Sequence, residues 1–590
     1  MRILIKEVRL RNFRSLENVN VELDKVTILV GANNMGKTTF LKALELVLGK
    51  EKSYVKKEDI FISPNEGYDI ERNAYIDVLI IPTNENGERE NSFAIEWQEH
   101  FGQLIRIDEN DKESLPLRTI IKYDKSKGEY ITSRWVLENW EKDPDRWIDT
   151  EIFGELQENK LENIPMLFLD AQRDIVREIK DSKSYWGLLT SNAGIPSEVT
   201  SEIEEELEKI NQKVISKSEI LLHFQTILGK LNDINIGPDN GVQLTPITKK
   251  LRDLYRGIDV QFKDSESESF PLEFHGMGTR SWATLLTFHS YVSWLDKINR
   301  ENNRPFSCIL ALEEPESHLH PQAQRQILQQ IQKFEGQRIV STHSPYIVAL
   351  SDLSSIRHFS KNGSATNVSK IKVDNLNGGD MEKIKREVMN TRGELLFSRA
   401  IVLFEGPTEE LAFPMFFYEY FGKHPYELGI NFVGVGGKGA RYTPFINVAK
   451  GLVINWYIFS DGEQDVIREL DSALQNVQCS INDNNVFVIE DGKNFEGYLL
   501  GDYAVEIEEL IKEMKLENIQ NEEYAARIRS NEYSFEDMQK ELKKSKTKYG
   551  PLLASKITAI ENTSRRIPQK IRNLFEQIER DLGIRRRDGV

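Results

Sequence analysis

The sequence predicts an α/β protein of two successive units, and three patterns along its 590 residues lead to this prediction. An apolar strand over 26–30 is followed by a glycine-bounded loop and a helical segment. Strands and helices alternate again over 272–350. Four further apolar strands alternate with helices over 400–489, which predicts a small parallel sheet. Because a chain of this length is too long for one core, we divide it into residues 1–395 and 396–590.

Composition is that of an ordinary globular protein, with 39% hydrophobic and 29% charged residues. No run approaches the roughly 18 apolar residues that a membrane span needs. The N-terminal segment is interrupted by charge and lacks the apolar core of a signal peptide. We therefore expect a cytoplasmic protein with no membrane partner. The two cysteines, Cys308 and Cys479, are far apart, which argues against a disulfide framework or a structural zinc site.

The net charge of -17 argues against a protein that coats nucleic acid indiscriminately. It leaves room for a local basic surface, or for an acidic site that reaches phosphates through metal ions. The C-terminal region is locally basic, and this region is equally well explained as a solvated helical surface. Its cations are Lys543, Lys544, Lys546, Lys548, Arg565, Arg566, Lys570, Arg572, Arg585, Arg586 and Arg587.

In the first unit, alternating apolar residues over 3–23 predict two antiparallel strands. A strand over 26–30 leads to a helix over 38–48 that Gly49 ends. Residues 175–260 are mainly helical, with helical spacing over 201–217 and 218–231. This insertion is either a dimer-forming arm or a plain helical subdomain. Other expected elements are a strand over 74–81, a helix starting near Ser281, a strand over 308–312, a helix over 321–334 and a strand over 338–341.

The loop over 31–38 fits the pattern G-x-x-x-x-G-K-[ST] without a mismatch. Its glycines let backbone N–H groups turn towards phosphate oxygens, and Lys37 supplies positive charge to the β- and γ-phosphates. The Thr38 hydroxyl is suited to Mg²⁺. We therefore predict that ATP is the bound nucleotide. The predicted nucleotide-binding residues here are Gly31, Asn33, Asn34, Gly36, Lys37, Thr38 and Thr39.

Two further strands deliver polar residues where open α/β sheets place their ligands. Glu313 would hold the Mg²⁺ shell, and Glu314 would orient or deprotonate an attacking water. The alternative is a charged loop after a buried strand. His343, at the end of the next strand, would contact a γ-phosphate. Gly276 and Gly278 precede a helix whose N-terminus is suited to phosphate, although a short glycine pair is a weak signal.

Acidic residues follow several strands of the second unit. Glu405 follows the first strand, and Glu409 lies one helical turn further on. Asp461 and Glu463 follow the third strand, and alternation sends both to the same side of an extended chain. Such acids converge in a parallel sheet and suit Mg²⁺ or Mn²⁺, which could support phosphodiester cleavage. The alternative is that some of them cap helices, above all those after the fourth strand: Glu490, Asp491 and Glu496.

The first unit resembles the ABC-type ATPases of the SMC and RecF group. The run from Glu313 to Pro321 is especially similar to the OLD (overcoming lysogenization defect) proteins. In that group the segment with Gly276 and Gly278 is the signature motif, and it meets ATP on a partner subunit. Two features differ here: Glu313 stands where Asp is usual, and the signature is not of the standard form. Gln172 is only a candidate for the Q-loop.

The second unit resembles a Toprim domain. The family has a Glu after the first strand and Asp-x-Asp after the third, which Glu405 and the run from Asp461 to Glu463 match with one Asp replaced. In the OLD version, Glu409 and Glu496 match additional acidic metal ligands. A C-terminal lysine stabilises transition-state charge in that family. Our choice is Lys548, with Lys546 and Lys556 as competitors.

The two resemblances together imply an OLD-family ATPase–Toprim endonuclease, similar to the nuclease subunit of Gabija anti-phage systems. The implied activity is metal-dependent nicking or cleavage of double-stranded DNA under the control of ATP, in bacterial defence against phage. A homodimer or tetramer formed through the ATPase part is expected, and a helicase-type partner is possible. Two alternatives lack nuclease activity: a DNA-repair ATPase related to SMC and RecF, and an ATP-switched binding module. A topoisomerase or primase is disfavoured by the lack of a catalytic tyrosine context or zinc motif.

Overall fold

The fold is taken from a computed structural model. It describes residues 2–49, 55–63, 66, 72–170, 196–222, 261–262, 270–271, 276–437, 441–517, 519, 521–544 and 546–587.

The strands in these residues form sheets in both predicted units. They are β1 (Arg2–Phe13), β2 (Leu16–Glu22), β3 (Val26–Val30), β4 (Ala74–Thr83), β5 (Arg106–Ile107), β6 (Glu113–Asp124), β7 (Glu129–Leu137), β8 (Ile152–Glu155), β9 (Met166–Leu169), β10 (Gln261–Phe262), β11 (Phe270–Pro271), β12 (Ile309–Glu313), β13 (Gln337–Ser341), β14 (Ile356–Asn362), β15 (Ala365–Ser369), β16 (Ala400–Phe404), β17 (Ile430–Gly434), β18 (Asn455–Ser460) and β19 (Val486–Val488).

The helices connect the strands of both units and make up most of the C-terminal region. They are α1 (Lys37–Leu48), α2 (Ile95–Phe101), α3 (Ser197–Lys217), α4 (Met277–Glu301), α5 (Pro321–Gln332), α6 (Pro345–Ala349), α7 (Gly378–Lys383), α8 (Pro407–Phe421), α9 (Thr443–Gly451), α10 (Gln464–Asn476), α11 (Phe495–Leu516), α12 (Glu522–Ser530), α13 (Phe535–Lys544), α14 (Lys546–Thr558) and α15 (Gln569–Leu582).

The N-terminal strands build an antiparallel sheet in the order β2-β1-β4-β6-β7-β8, with β5 beside β6. The predicted antiparallel pair is confirmed, since Val8 lies opposite Val21 on β2. On its other side Val8 lies opposite Val78 on β4. The alternating apolar side chains of these strands share a core with the buried face of α1, which includes Phe40 and Leu44. The sheet therefore seats the helix that follows the predicted phosphate loop.

A second sheet has the order β15-β14-β3-β13-β12-β9. Its strands pair in parallel from β14 to β9, while β15 is antiparallel to β14. The three strands that carry the predicted ATP-site motifs, β3, β13 and β12, are direct neighbours. Because the carboxyl ends of parallel strands meet at one edge, the residues after these three strands come together there. The predicted α/β fold of the first unit is confirmed.

Besides the two-stranded β10-β11 pair, the remaining sheet is the predicted small parallel sheet, in the order β17-β16-β18-β19. Glu405 follows β16 and Asp461 follows its neighbour β18. The middle of α8 is packed over these strands by Phe413, whose ring centroid lies 4.4 Å from that of Phe404 and 4.8 Å from that of Phe459. This aromatic packing holds the helix that carries Glu409 against the strand that Glu405 follows.

The predicted helical insertion lies partly within the described residues. Its first predicted helix, over 201–217, corresponds to α3. Most of the second one, over 218–231, and the rest of the insertion to residue 260 lie outside them, so a dimerisation arm stays a prediction. In the chain segments that the structure covers, none of the helices is both long and apolar enough to cross a membrane.

A connector over 378–397 joins the two units and packs on both. It starts with α7 and ends in a 3₁₀ turn, Gly393–Phe397, three residues before β16. A Cβ atom at Gly393 would lie 2.9 Å from the carbonyl oxygen of Pro345, so the connector runs tightly along the start of α6. Arg392 forms an ion pair of 3.2 Å with Glu410 on α8. The connector therefore touches the start of α6, which follows β13, and α8, which follows β16.

His358 on β14 forms a buried polar contact with the second unit. It is 4% exposed, and its Nδ1 donates a hydrogen bond of 2.8 Å to the carbonyl oxygen of Leu452. Burial lowers the pKa of His358 from 6.5 to about 4, and Lys37 adds to the shift, while the bond to Leu452 opposes it. The neutral form is thus the one that the fold accommodates.

This burial predicts an acid-sensitive stability. Because the folded-state pKa lies below the unfolded value, the contribution of His358 is present above about pH 6.5 and is lost as pH falls towards 4. The full loss is on the order of 3 kcal/mol. We expect thermal unfolding, followed by circular dichroism, to show a shallower fall in Tm over this range for His358→Asn than for the wild type. The control is His424→Asn at an exposed site, and equal slopes for all three proteins would contradict the prediction.

Candidate functional site

The loop over 31–38 lies between β3 and α1, and its shape depends on glycine. Gly31 has φ 137°, and a Cβ atom there would lie 2.2 Å from the carbonyl oxygen of Phe359. Gly36 has φ 101°, and Asn34 also has a positive φ, 62°. Asn33 and Asn34 are exposed, while the Thr39 hydroxyl lies 3.4 Å from that of Ser15. The loop has the strand–loop–helix setting that a phosphate-binding loop needs.

Lys37 is buried in the first turn of α1 and folds back over the loop. Its Nζ donates hydrogen bonds to the carbonyl oxygens of Gly31, at 2.7 Å, and Ala32, at 3.0 Å. Burial lowers the pKa of Lys37 to about 8, although the carboxylates of the neighbouring acidic loop oppose the shift. When a phosphate binds, it would take the place of the two carbonyl oxygens and give the lysine an anionic partner.

Thr38 and Glu313 are in direct contact, because the Thr38 hydroxyl donates a hydrogen bond to Glu313 Oε1. Glu313 is the last residue of β12, which is separated from β3 by β13. Burial raises the pKa of Glu313, the Thr38 bond opposes the shift, and Asp170 adds to it. A hydroxyl and a partly buried carboxylate therefore share the spot where Mg²⁺ is expected, and both are suitable oxygen ligands.

Glu314 and His343 face each other across the ends of β12 and β13. His343 Nε2 lies 3.7 Å from Glu314 Oε1. Glu314 has φ 43°, and its backbone N–H donates to the carbonyl oxygen of Ser341, which ties the two strand ends together. Burial lowers the pKa of His343, and Lys37 adds to the shift. The structure thus brings together every predicted motif of β3, β12 and β13.

The glycine segment before α4 lies beside the loop that follows β12. Gly276 is the exposed N-cap residue of α4, and a Cβ atom at Gly278 would lie 3.1 Å from the carbonyl oxygen of His318. The helix begins at Met277, four residues before the expected start near Ser281. Residues 272–275 and the Q-loop candidate Gln172 lie outside the described residues.

Four carboxylates of the second unit gather at the ends of β16 and β18. Asp461 lies at their centre, and burial raises its pKa to about 8. Three further carboxylates add to this shift, in decreasing order Glu409, Glu405 and Glu496. Glu409 and Glu496 are 6% and 2% exposed, in the first turns of α8 and α11. The backbone N–H of Phe495 donates to Asp461 Oδ1 at 2.8 Å, which brings the start of α11 to this strand end.

The other predicted residues of the second unit lie further out. Glu463 is half-buried and occupies the N-cap position of α10, where its side chain forms no capping hydrogen bond. Lys548, on α14, forms an ion pair of 3.3 Å with Glu517. A Cβ atom at Gly550, on the same helix, would lie 2.8 Å from the carbonyl oxygen of Thr408, so α14 packs on the start of α8. Among the competitors, Lys556 pairs with Glu509 and Glu513.

The donor set of the acidic site fits a divalent cation. Buried carboxylates repel one another until a cation or a proton compensates them, and Mg²⁺ and Mn²⁺ prefer oxygen ligands. Within the described ranges, no three His, Cys, Asp or Glu side chains already stand at metal-binding distances from one another. Side-chain rotation on binding would therefore be needed to complete the ligand set.

Two buried residues beside these sites were missed by sequence reasoning. Glu316 lies between the loops after β12 and β13. Tyr442 is fully buried, and burial followed by the charge of Glu405 raises its pKa well above the ordinary value. Glu316 belongs to the acidic run that the sequence analysis singled out, whereas no local pattern marks Tyr442.

Comparison with known families agrees with the two-unit organisation. Residues 26–349, more than half of the chain, match the family model described as AAA domain, putative AbiEii toxin, Type IV TA system. Residues 396–463 match the model described as Overcoming lysogenization defect protein-like, TOPRIM domain.

Three relatives are similar over most of their length. The Old nuclease of Escherichia phage P2 is 24% identical over 465 residues, which cover 75% of this chain and 74% of that protein. Endonuclease GajA of Bacillus cereus (strain VD045) is 22% identical over 474 residues, covering 77% and 74%. The OLD nuclease of Thermus scotoductus (strain ATCC 700910 / SA-01) is 22% identical over 498 residues, covering 78% and 82%.

Proposed function

We propose that this chain, which belongs to the OLD family of proteins that join an AAA-type ATPase domain to a Toprim domain, is an ATP-regulated, metal-dependent DNA endonuclease. We assign the ATPase domain to residues 1–395 and the Toprim domain to residues 396–590. The observation that carries the proposal is the cluster of buried and half-buried carboxylates around Asp461. Such a cluster is costly to keep in a fold unless a cation binds there.

The cluster has the chemistry of a nuclease metal site. The proposed ligands of Mg²⁺, or alternatively Mn²⁺, are Glu405, Glu409, Asp461, Glu463 and Glu496. When bound, such ions supply an activated water and offset the charge on the leaving oxygen of a phosphodiester. The carboxylates would orient the ions, and the packing of Phe413 on both strand ends would keep Glu405 and Asp461 in register.

We assign Lys548 the role of stabilising negative charge on the cleaved phosphate. Its helix packs against Thr408, next to the acidic site, which supports this assignment. Its ion pair with Glu517 joins two side chains that are 56% and 58% exposed, so releasing it for a phosphate costs little.

In the ATPase domain, we propose that ATP binds over the loop at 31–38 and at a partner subunit's signature glycines. Thr38 and Glu313 would hold Mg²⁺, Glu314 would orient the attacking water, and His343 would contact the γ-phosphate. The 3.7 Å approach of His343 to Glu314 supports these roles, because both side chains could reach one phosphate.

The connector supports the proposed control by ATP. The ring of His343 stacks on Phe397, with centroids 6.1 Å apart and planes inclined by 29°. Phe397 lies three residues before β16, and Glu405 follows directly after that strand. Together with the contact of Gly393 at Pro345 and the Arg392–Glu410 pair, this gives a γ-phosphate contact a direct physical link to the Toprim domain.

We further propose a homodimer or tetramer formed through the ATPase domain. The surface of α3 supports this. Val199, Ile210 and Val214 fall on one helical face and are 42%, 46% and 37% exposed. A second copy of the chain would cover such a face. The proposed setting is defence against phage DNA, with room for a helicase-type partner protein.

A plasmid assay tests the proposed function and its metal requirement. We expect purified protein to convert supercoiled plasmid to nicked or linear DNA with Mg²⁺ or Mn²⁺, and to stop when excess chelator is added. ATP and a non-hydrolysable analogue are added in separate arms. If binding alone regulates cleavage, both change the cleavage rate alike; if hydrolysis is needed, only ATP has its full effect. Intact plasmid with both metals in all nucleotide arms would contradict the endonuclease proposal, and the alternatives without nuclease activity would then stand.

A further inference from the structure

Glu316 lies buried between the loops that follow β12 and β13, and it is 7% exposed. Its Oε1 accepts two hydrogen bonds, from the Thr342 hydroxyl at 2.7 Å and from the backbone N–H of His343 at 2.8 Å. Its Oε2 is also buried and forms no hydrogen bond within the described part of the chain. One oxygen atom therefore fixes both residues of the Thr342–His343 pair.

The same contacts extend into a small network around His343. The backbone N–H of Ser344 donates to the Thr342 hydroxyl at 2.9 Å, and the Ser344 hydroxyl donates to Gln324 at 2.7 Å. Glu314, whose carboxylate faces the His343 ring, lies two residues before Glu316 on the same loop. Glu316 thus anchors the backbone of His343 to the loop that carries the proposed water-orienting carboxylate.

A packing role alone does not explain this residue. Burying a carboxylate costs free energy, and an apolar side chain of similar volume would fill the space without that cost. The arrangement is explained if the backbone of His343 must be held at a set place.

We propose that Glu316 is a positioning residue for ATP hydrolysis, which acts through His343 by holding the Thr342–His343 backbone so that the imidazole faces Glu314. This inference rests on the proposed role of His343 as a contact to the γ-phosphate. It assigns to Glu316 no contact with ATP itself.

The test is a double-mutant cycle on ATP hydrolysis by the full chain, with Glu316→Ala, His343→Ala and the two combined. We expect Glu316→Ala to lower kcat at least about 10-fold while KM for ATP changes less than about 3-fold. Glu316→Gln should retain most of kcat, because its amide oxygen can accept both hydrogen bonds. The double variant should be no slower than His343→Ala, since Glu316 acts only through His343 and its removal has no further effect once the imidazole is gone.

The outcomes separate the inference from the proposal beneath it. If His343→Ala hydrolyses ATP at the wild-type rate, the role of His343 fails, and that of Glu316 with it. Two outcomes with a slow His343→Ala variant overturn only the inference. In one, Glu316→Ala hydrolyses ATP at the wild-type rate; in the other, Glu316→Ala lowers the rate further in the His343→Ala background. Should Glu316→Ala fail to fold, Thr342→Val takes its place in the cycle with the same criteria and a smaller expected loss.

Discussion

Asp461→Asn is expected to abolish plasmid cleavage, with a loss of at least about 100-fold in the nicking rate. Asparagine keeps the shape of the side chain and can still accept the hydrogen bond from Phe495, but it removes the anionic oxygen that a divalent cation needs. The rate of nicking is measured with Mg²⁺ and with Mn²⁺. ATP hydrolysis should stay near the wild-type rate, because Asp461 lies in the other domain.

The same substitution should leave the metal-free fold at least as stable as the wild type at alkaline pH. Burial and neighbouring carboxylates raise the pKa of Asp461 to about 8, above its unfolded value of about 4. For a carboxyl group, a raised pKa means that its contribution to the free energy of unfolding is fully present below pH 4. This contribution is lost as pH rises through 8. The asparagine variant lacks this loss, so its Tm above pH 8 should equal or exceed that of the wild type.

Two comparisons make the Asp461 result decisive. Asp471→Asn, on α10, removes a carboxylate that bonds only to Gln475 among its printed contacts, and it should cleave normally. Added Mg²⁺ or Mn²⁺ should raise the Tm of the wild type but not that of Asp461→Asn. Undiminished cleavage by Asp461→Asn would remove Asp461 from the metal site.

Lys37→Ala is expected to weaken ATP binding about 100-fold or more and to remove the effect of ATP on cleavage. The lysine would make charge-assisted hydrogen bonds to phosphate, each on the order of 1.5–3 kcal/mol, and alanine makes none. Cleavage without nucleotide should persist, since the acidic site is intact. Binding is measured with a fluorescent ATP analogue, and cleavage with and without ATP.

The matched control for this loop is Lys142→Ala, which removes an exposed lysine paired with Glu109. It should bind ATP and respond to it as the wild type does. A full ATP response in Lys37→Ala would show that nucleotide acts at a different site. Lost cleavage without nucleotide would show that the ATPase domain is needed for the Toprim reaction itself.

Much of the fold could be predicted because it depends on short-range patterns. The strand–loop–helix unit from Val26 to Leu48 and the parallel sheet that starts at β16 follow from apolar runs, glycines and regular alternation. The antiparallel sheet over 2–155 could not be predicted in full. Its order depends on pairings such as that of β1 with β4, between segments that are distant in the chain.

The candidate sites divide in the same way. Acidic residues at strand ends and in the helical turns that follow them were visible in the sequence. The structure gathers four of them around the ends of β16 and β18: Glu405, Glu409, Asp461 and Glu496. Glu463 stands at the N-cap position of α10, and Lys548 forms an ion pair with Glu517. Periodicity says which face of an element a residue lies on, but it does not say which remote side chain shares its pocket.

The sequence alone determined the phosphate loop, the order of the two domains and the acidic residues that end their strands, because each is encoded within about ten residues. Only the tertiary structure decided that Glu316 holds the backbone of His343, that Phe397 stacks on its ring, and that the connector reaches α8. Those contacts join residues from separate elements. They exist only after the sheets have brought the elements together, so no local pattern can specify them.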